Sequence, residues 1–210
     1  MVNTTIYVDV SEIKRRLGLL ADESGKVIAR AVNRSYPTGK SAIAKGASGE
    51  YLITQKEVNS PKTLKITKAR PSKPVATLEY TGGHRNLYLW NNKKAVSPNK
   101  IIHWPDGPDG KPNVRTYRAA VGRGHAKLPL LGKNKPFIQR VRTGENSEFV
   151  GLFRRATEKR DSKLVGVGAP SIPQILKNGK VMEQFRRSAG PMLQKRLEHE
   201  IDAILKGVTK

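Results

Sequence analysis

An α+β fold is predicted by three features of the chain: an amphipathic stretch near each end and a succession of short alternating segments between them. From Ser11 to about Asn33, Ile13, Leu17, Leu20, Val27, Ile28 and Ala31 recur at the three-and-four spacing of one buried helical face. From Val181 to about Lys206, Met182, Phe185, Ala189, Met192, Leu193, Leu197, Ile201, Ile204 and Leu205 make a second such stripe, with Gly207 as its stop. Between about Thr63 and Val167 the apolar residues alternate instead, as half-buried strands require. The expectation is a single domain over residues 1–210 whose central, mainly antiparallel β-sheet is packed by long N-terminal and C-terminal α-helices.

In chain order, Ile6-Tyr7-Val8-Asp9-Val10 reads as a short strand, and Asp9 with Glu12 has capping-box spacing ahead of the first helix. Tyr36-Pro37-Thr38-Gly39 predicts an interruption of that helix, because Pro37 disfavours helical backbone at Tyr36, and Lys40 to Ala47 resume it. Thr54 and Glu57 repeat the capping-box spacing and predict a helical turn before Pro61. Strands are expected around Leu64–Ile66, Val75–Tyr80, Leu87–Trp90, Val114–Val121, Pro136–Val141, Phe149–Arg154 and Lys163–Val167. Asn91 to Pro112, rich in Asn, Lys, Pro and Gly, reads as a long surface loop with a brief strand at Ile101–Trp104, and about 91–133 as a loop or insertion. Gly166 to Leu176 is a junction: its two glycines and two prolines stop both strand and helix, while Val167, Ile172, Ile175 and Leu176 call for packing.

Charge dominates the composition. The 210 residues hold 40 Lys and Arg against 17 Asp and Glu, a formal charge of +23, so the surface repels its own kind and attracts polyanions, nucleic acid first among them. A basic subunit neutralised by acidic neighbours in an assembly has the same composition. Residues 81–170 are the most cationic, with 18 basic side chains against 6 acidic. The absence of cysteine excludes disulfides, thiolate catalysis, zinc fingers and iron-sulfur clusters. No apolar run reaches the ~20 residues of a membrane helix, and Met1 to Thr5 lacks a signal-peptide plan, so synthesis in the cytoplasm without a membrane partner is expected.

No catalytic constellation stands out. Gly39-Lys40-Ser41 ends like a phosphate-binding loop, but Arg34 occupies the position of its required first glycine. His84, His103, His125 and His199 lack metal-site spacing, and Asp106 with Asp109 lacks the other ligands of a calcium loop, so no cofactor or metal is expected. The candidate contacts to DNA or to neighbouring subunits are Arg115, Arg118, Arg140, Arg142, Arg154 and Arg155, which interrupt the apolar strands. Arg115 and Arg118 differ in parity and fall on opposite faces of one strand. Tyr88, Trp90, Trp104 and Tyr117 are aromatics that can stack on bases or anchor the core.

The order of Lys135-Pro136-Phe137-Ile138-Gln139-Arg140-Val141, Phe149-Val150-Gly151-Leu152-Phe153-Arg154-Arg155 and Gly168-Ala169-Pro170-Ser171-Ile172-Pro173-Gln174-Ile175-Leu176 resembles the prophage minor tail protein Z family, the tail completion proteins of long-tailed phages. Ala31-Val32-Asn33-Arg34 is similar to an Ala-x-Asn-Arg segment of that family's first helix. The matching positions are Asn33, Arg34, Phe137, Ile138, Phe153, Gly168, Pro170, Ser171, Pro173 and Gln174, and residues 91–133 depart from the pattern. The resemblance implies a non-enzymatic virion protein, assembled in the host cytoplasm into a ring around the DNA path at the head-proximal end of the tail. A hexameric homo-oligomer would match the tail tube, with tail terminator, tape-measure protein and head-tail connector as neighbours and non-specific contact with phage DNA. A free basic nucleic-acid-binding protein of ribosomal or nucleoid type is the alternative that charge alone supports.

Overall fold

A computed structural model describes residues 2–5, 10–90, 96–102, 114–130, 134–144 and 147–207, and these form helices and antiparallel sheets, an α+β fold with long helices toward both ends. Two compact units are discernible. The first draws on the described residues of Met1–Glu50, Thr54–Gly82 and Ile172–Lys210, the second on those of Tyr51–Ile53 and Gly83–Ser171.

The first unit contains helices α1 (Val10–Leu17), α2 (Ser24–Glu50), α3 (Gln55–Val58), α4 (Ile172–Leu176) and α5 (Gly179–Leu205). Strands β1 (Val2–Thr5), β2 (Leu64–Thr67) and β3 (Thr77–Tyr80) make an antiparallel sheet in the order β1-β3-β2. The first amphipathic stretch is helical, but its break falls elsewhere than expected. Residues Gly18–Glu23 tighten into a 3-10 segment at Gly18, whose φ of +54° is the left-handed backbone that glycine adopts freely. Helix α2 then runs through Pro37 and Gly39 without interruption. Pro37 costs the helix one donor, whereas the packing of α2 along α5 involves the whole helix. Gly39 serves that packing, since a Cβ there would lie 2.8 Å from the Phe185 ring.

The two long helices lie antiparallel, Gly46 meeting Val181 near one end and Arg34 meeting Glu200 near the other. Ile13, Leu17, Val27, Ile28, Ala31 and Val32 form a buried cluster with Leu193, Ile201 and Ile204, while Val181, Phe185 and Ala189 are buried further along α5. Each large aliphatic side chain so buried stabilises the unit by ~1.5–3 kcal/mol. Leu205, assigned to the stripe, is 52% exposed in the last turn, and the helix stops at Gly207 with φ +66°. The Thr54–Glu57 capping box is present, with the Thr54 N–H donating to the Glu57 carboxylate at 2.9 Å and the Glu57 N–H to the Thr54 hydroxyl at 3.2 Å. Asp9, the other proposed cap, and residues 6–9 of the expected strand Ile6–Val10 lie outside the described residues, whereas Val10 is helical rather than extended.

The described residues of the second unit form three small sheets. Strand β4 (Arg85–Asn86) pairs with β11 (Gly168–Ala169); β5 (Val96–Ile102), β6 (Val114–Ala119) and β7 (Leu128–Pro129) form a sheet in that order; β8 (Phe137–Gly144), β9 (Ser147–Arg155) and β10 (Leu164–Gly166) form another, ordered β10-β9-β8. Every pairing is antiparallel. Parts of the expected loop or insertion are therefore strands, because Val96, Ile101 and Ile102 find partners in Ala119, Arg115 and Val114. Leu87–Leu89, expected as a strand, is a 3-10 turn. The Asn86 side chain accepts from the Tyr88 N–H at 3.0 Å and caps it.

Candidate nucleic-acid interface

The β8–β9 hairpin carries four of the six arginines singled out from the sequence, and its register sorts them. Phe137 faces Phe153, Ile138 faces Leu152, Arg140 faces Val150 and Arg142 faces Glu148, while Arg154 pairs with Val165 of β10. Cross-strand partners share a face and successive residues alternate. Arg140, Arg142 and Arg154 therefore lie on one face with Ile138, Glu148, Val150 and Leu152. Arg155 lies on the other with Phe137, Phe149 and Phe153.

On the first face Arg140 Nη1 is 3.1 Å from a Glu148 carboxylate oxygen. Arg142 and Arg154 are exposed and have no carboxylate partner among the described residues. The arginines are strung over ~20 Å of strand, with fully buried Leu152 between the Arg140–Arg142 pair and Arg154. Planar guanidiniums held on a rigid sheet suit bidentate contact with phosphate or carboxylate oxygens. On the opposite face the Arg155 guanidinium sits 5.7 Å from the centroid of the Phe137 ring, and Phe149 and Phe153 meet edge to face with centroids 6.0 Å apart. Arg155 also lines a pocket of about 290 Å³ with Asn134, Lys135, Phe137, Thr157 and Glu158, so its role is packing as much as charge.

Arg115 and Arg118 belong to β6, in a different sheet. Arg118 is exposed. Among the aromatics, Trp90 is fully buried, its indole N–H without a partner among the described residues, which removes it from any base-stacking surface, and Tyr88 and Tyr117 are half-buried. Trp104 lies outside the described residues, as do His103, Asp106 and Asp109.

Several of the motif residues, Asn33, Arg34 and Pro173 among them, serve the scaffold. In the first unit, Asn33 Nδ2 donates to the Ala69 carbonyl and its Oδ1 accepts from the Ala69 N–H, both at 2.9 Å, so one amide satisfies both backbone groups of a distant residue. Arg34 donates to the carboxylate of Glu200, which is 1% exposed. Pro173 is buried in α4 with Ile172, Ile175 and Leu176, and Gln174 is exposed. In the second unit, Gly168 pairs with Asn86, Ser171 is buried and Pro170 half-buried.

Sequence reasoning missed Asn86. Its Nδ2 donates to the Leu152 carbonyl and its Oδ1 accepts from the Leu152 N–H, both at 2.9 Å, which ties β4 to the middle of the arginine-bearing strand. Gly151 makes room, since a Cβ there would lie 2.6 Å from the Phe149 ring and 2.9 Å from Asn86 Nδ2. The only visible signal was an Asn immediately before an apolar run, which reads as a turn cap. Replacing Asn86 with Ala removes the acceptor of the buried Leu152 N–H, while the Leu152 carbonyl keeps the Val167 N–H at 2.9 Å, and a loss of ~1–3 kcal/mol is expected in urea unfolding; an unchanged midpoint would remove this role.

No family model, curated protein or solved structure matches the chain. No described helix is long and apolar enough to cross a membrane.

Proposed function

We propose that the chain is a structural virion subunit, a tail completion protein that forms a homo-oligomeric, hexameric ring around the DNA path at the head-proximal end of a phage tail and enables head-tail joining. The observation that carries this reading is the shared face of Arg140, Arg142 and Arg154, two of them without an acidic partner among the described residues, on a chain of charge +23. Such a surface meets a polyanion without needing to read its sequence. The motif order of the tail protein family supports the assignment, and the roles of Asn33 and Arg34 in packing fit a family marked by its scaffold rather than by a reacting site. In the assembled neck, tail terminator, tape-measure protein and head-tail connector would be the neighbours.

The test is genetic. Deleting the chain from its genome is expected to leave separate heads and tails in electron micrographs, and supplying it in trans to restore joined particles. Supplying Arg140→Gln/Arg142→Gln/Arg154→Gln, which leaves buried Leu152 and Asn86 untouched, is expected to lower the yield of joined particles about tenfold or more. The same variant should flatten the salt dependence of DNA binding, each lost phosphate contact removing ~0.9 from the log-log slope. Normal particles without the chain would overturn the proposal. Tight duplex binding by a chain that never enters particles would favour the free nucleic-acid-binding alternative.

A further inference from the structure

Among the described residues the sheet β10-β9-β8 ends at β8. Among the described residues no strand flanks β8 on the side away from β9, and Gln139, Arg140 and Arg142 are exposed there. The hydrogen bonds of β9 fix which backbone groups that edge presents. The Val167 N–H donates to the Leu152 carbonyl and the Ala156 N–H to the Lys163 carbonyl, both at 2.9 Å, so even-numbered residues along this strand turn toward β10. Odd-numbered Phe149, Gly151 and Phe153 turn toward β8, where they face Val141, Gln139 and Phe137. Ile138, Arg140 and Arg142 consequently point their N–H and C=O groups outward, and the two arginine side chains stand beside the same row of groups, which have no backbone partner among the described residues.

We infer that this edge is a docking site for an extended acidic segment of another protein, which adds to the sheet as a further strand with carboxylates at alternate positions opposite Arg140 and Arg142. Three observations select that occupant. Outward groups that both donate and accept match a peptide backbone, whereas phosphates offer acceptors only and would leave the carbonyls of Ile138, Arg140 and Arg142 unmet. A second copy of β8 pairing in a central register would set Arg140 opposite Arg140 or Arg142, and like charges directly opposite repel, the more so between chains of charge +23. An acidic strand reverses both signs, and its intervening residues would lie over half-buried Phe137 and Val141, which favours apolar ones. This inference goes beyond the tail assignment and rests on the edge alone.

Amide exchange of the isotope-labelled full chain, followed by NMR, tests it with a blocked peptide Thr-Glu-Val-Glu-Val-Glu-Thr, its lysine counterpart and a short DNA duplex, all at the same ionic strength. The glutamate peptide is expected to slow exchange at Ile138, Arg140 and Arg142 by roughly tenfold or more, and the lysine peptide to leave it unchanged. Arg140→Glu/Arg142→Glu should exchange the two preferences, and the milder Arg142→Gln should weaken glutamate-peptide binding several-fold without disturbing the fold. Unchanged exchange at these amides under saturating glutamate peptide would overturn the inference. So would their protection by the DNA duplex, or by self-association in the absence of peptide. None of these outcomes bears on whether deletion of the chain blocks head-tail joining.

Discussion

Replacing Gly46 with valine is expected to destabilise the chain by ~1–2.5 kcal/mol, read as a lower urea midpoint. A Cβ at Gly46 would lie 3.2 Å from Val181 Cα and 3.3 Å from the Val181 carbonyl oxygen, and backbone atoms of a packed helix cannot swing aside as a side chain can. The two long helices would have to separate, loosening the contacts of Phe185 and Ala189 beside Gly39, seven residues away. Overpacking of this kind costs ~1–3 kcal/mol, and the gain of roughly 0.5 kcal/mol in helix propensity on leaving glycine does not offset it. The matched control is Gly49→Ala on the same helix, where a Cβ meets nothing within 4 Å. That exchange is expected to stabilise by ~0.5–1 kcal/mol. Shifts of the same sign at the two positions would show that propensity rather than close helix approach governs α2.

The same contrast explains what could be read beforehand. The long stripes ending at Asn33 and at Lys206 announced helices because apolar spacing is a local signal, and α1, the start of α2 and α5 follow it, except at Leu20, which falls in the 3-10 segment and is 42% exposed. Pro37 and Gly39 misled for the converse reason. Their local cost is visible in sequence, whereas the contact that outweighs it, Gly39 against Phe185, spans 146 positions. Leu87–Leu89 had strand-like residues, yet the side chain of Asn86 decided the turn. Asn33 could be marked only through family resemblance, since nothing near it names Ala69 as the partner of its amide. The arginine face was half legible. Arg140 and Arg142 share parity in the sequence, but whether Arg154 or Arg155 joins them depends on the register of a hairpin with an irregularity between Arg142 and Gly144. The edge beside them was not legible at all, because it follows from which way β9 turns its carbonyls.

Arg34→Ala is expected to cost ~2–4 kcal/mol, although the arginine is half exposed and sits in a segment that would otherwise pass for a polyanion contact. Its partner decides the size. The Glu200 side chain is 1% exposed, and among the described residues the other basic side chain within 4.0 Å of its carboxylate is the exposed His199 imidazole. Breaking a buried pair by removing one member leaves a charge without compensation, at a cost of ~3–5 kcal/mol, which the exposure of Arg34 reduces here. Removing both charges behaves differently, because a buried pair carries its own desolvation penalty. Arg34→Met/Glu200→Leu is therefore expected to recover most of the lost stability, within ~1 kcal/mol of the wild type. A double-mutant cycle in urea measures the coupling. If Arg34 instead served a bound polyanion, Arg34→Ala would leave the midpoint of the isolated chain unchanged and Glu200→Leu would not rescue anything. Strong coupling places this motif residue in the scaffold, and the arginines of β8 and β9 then remain as the surface on which charge is free to act outward.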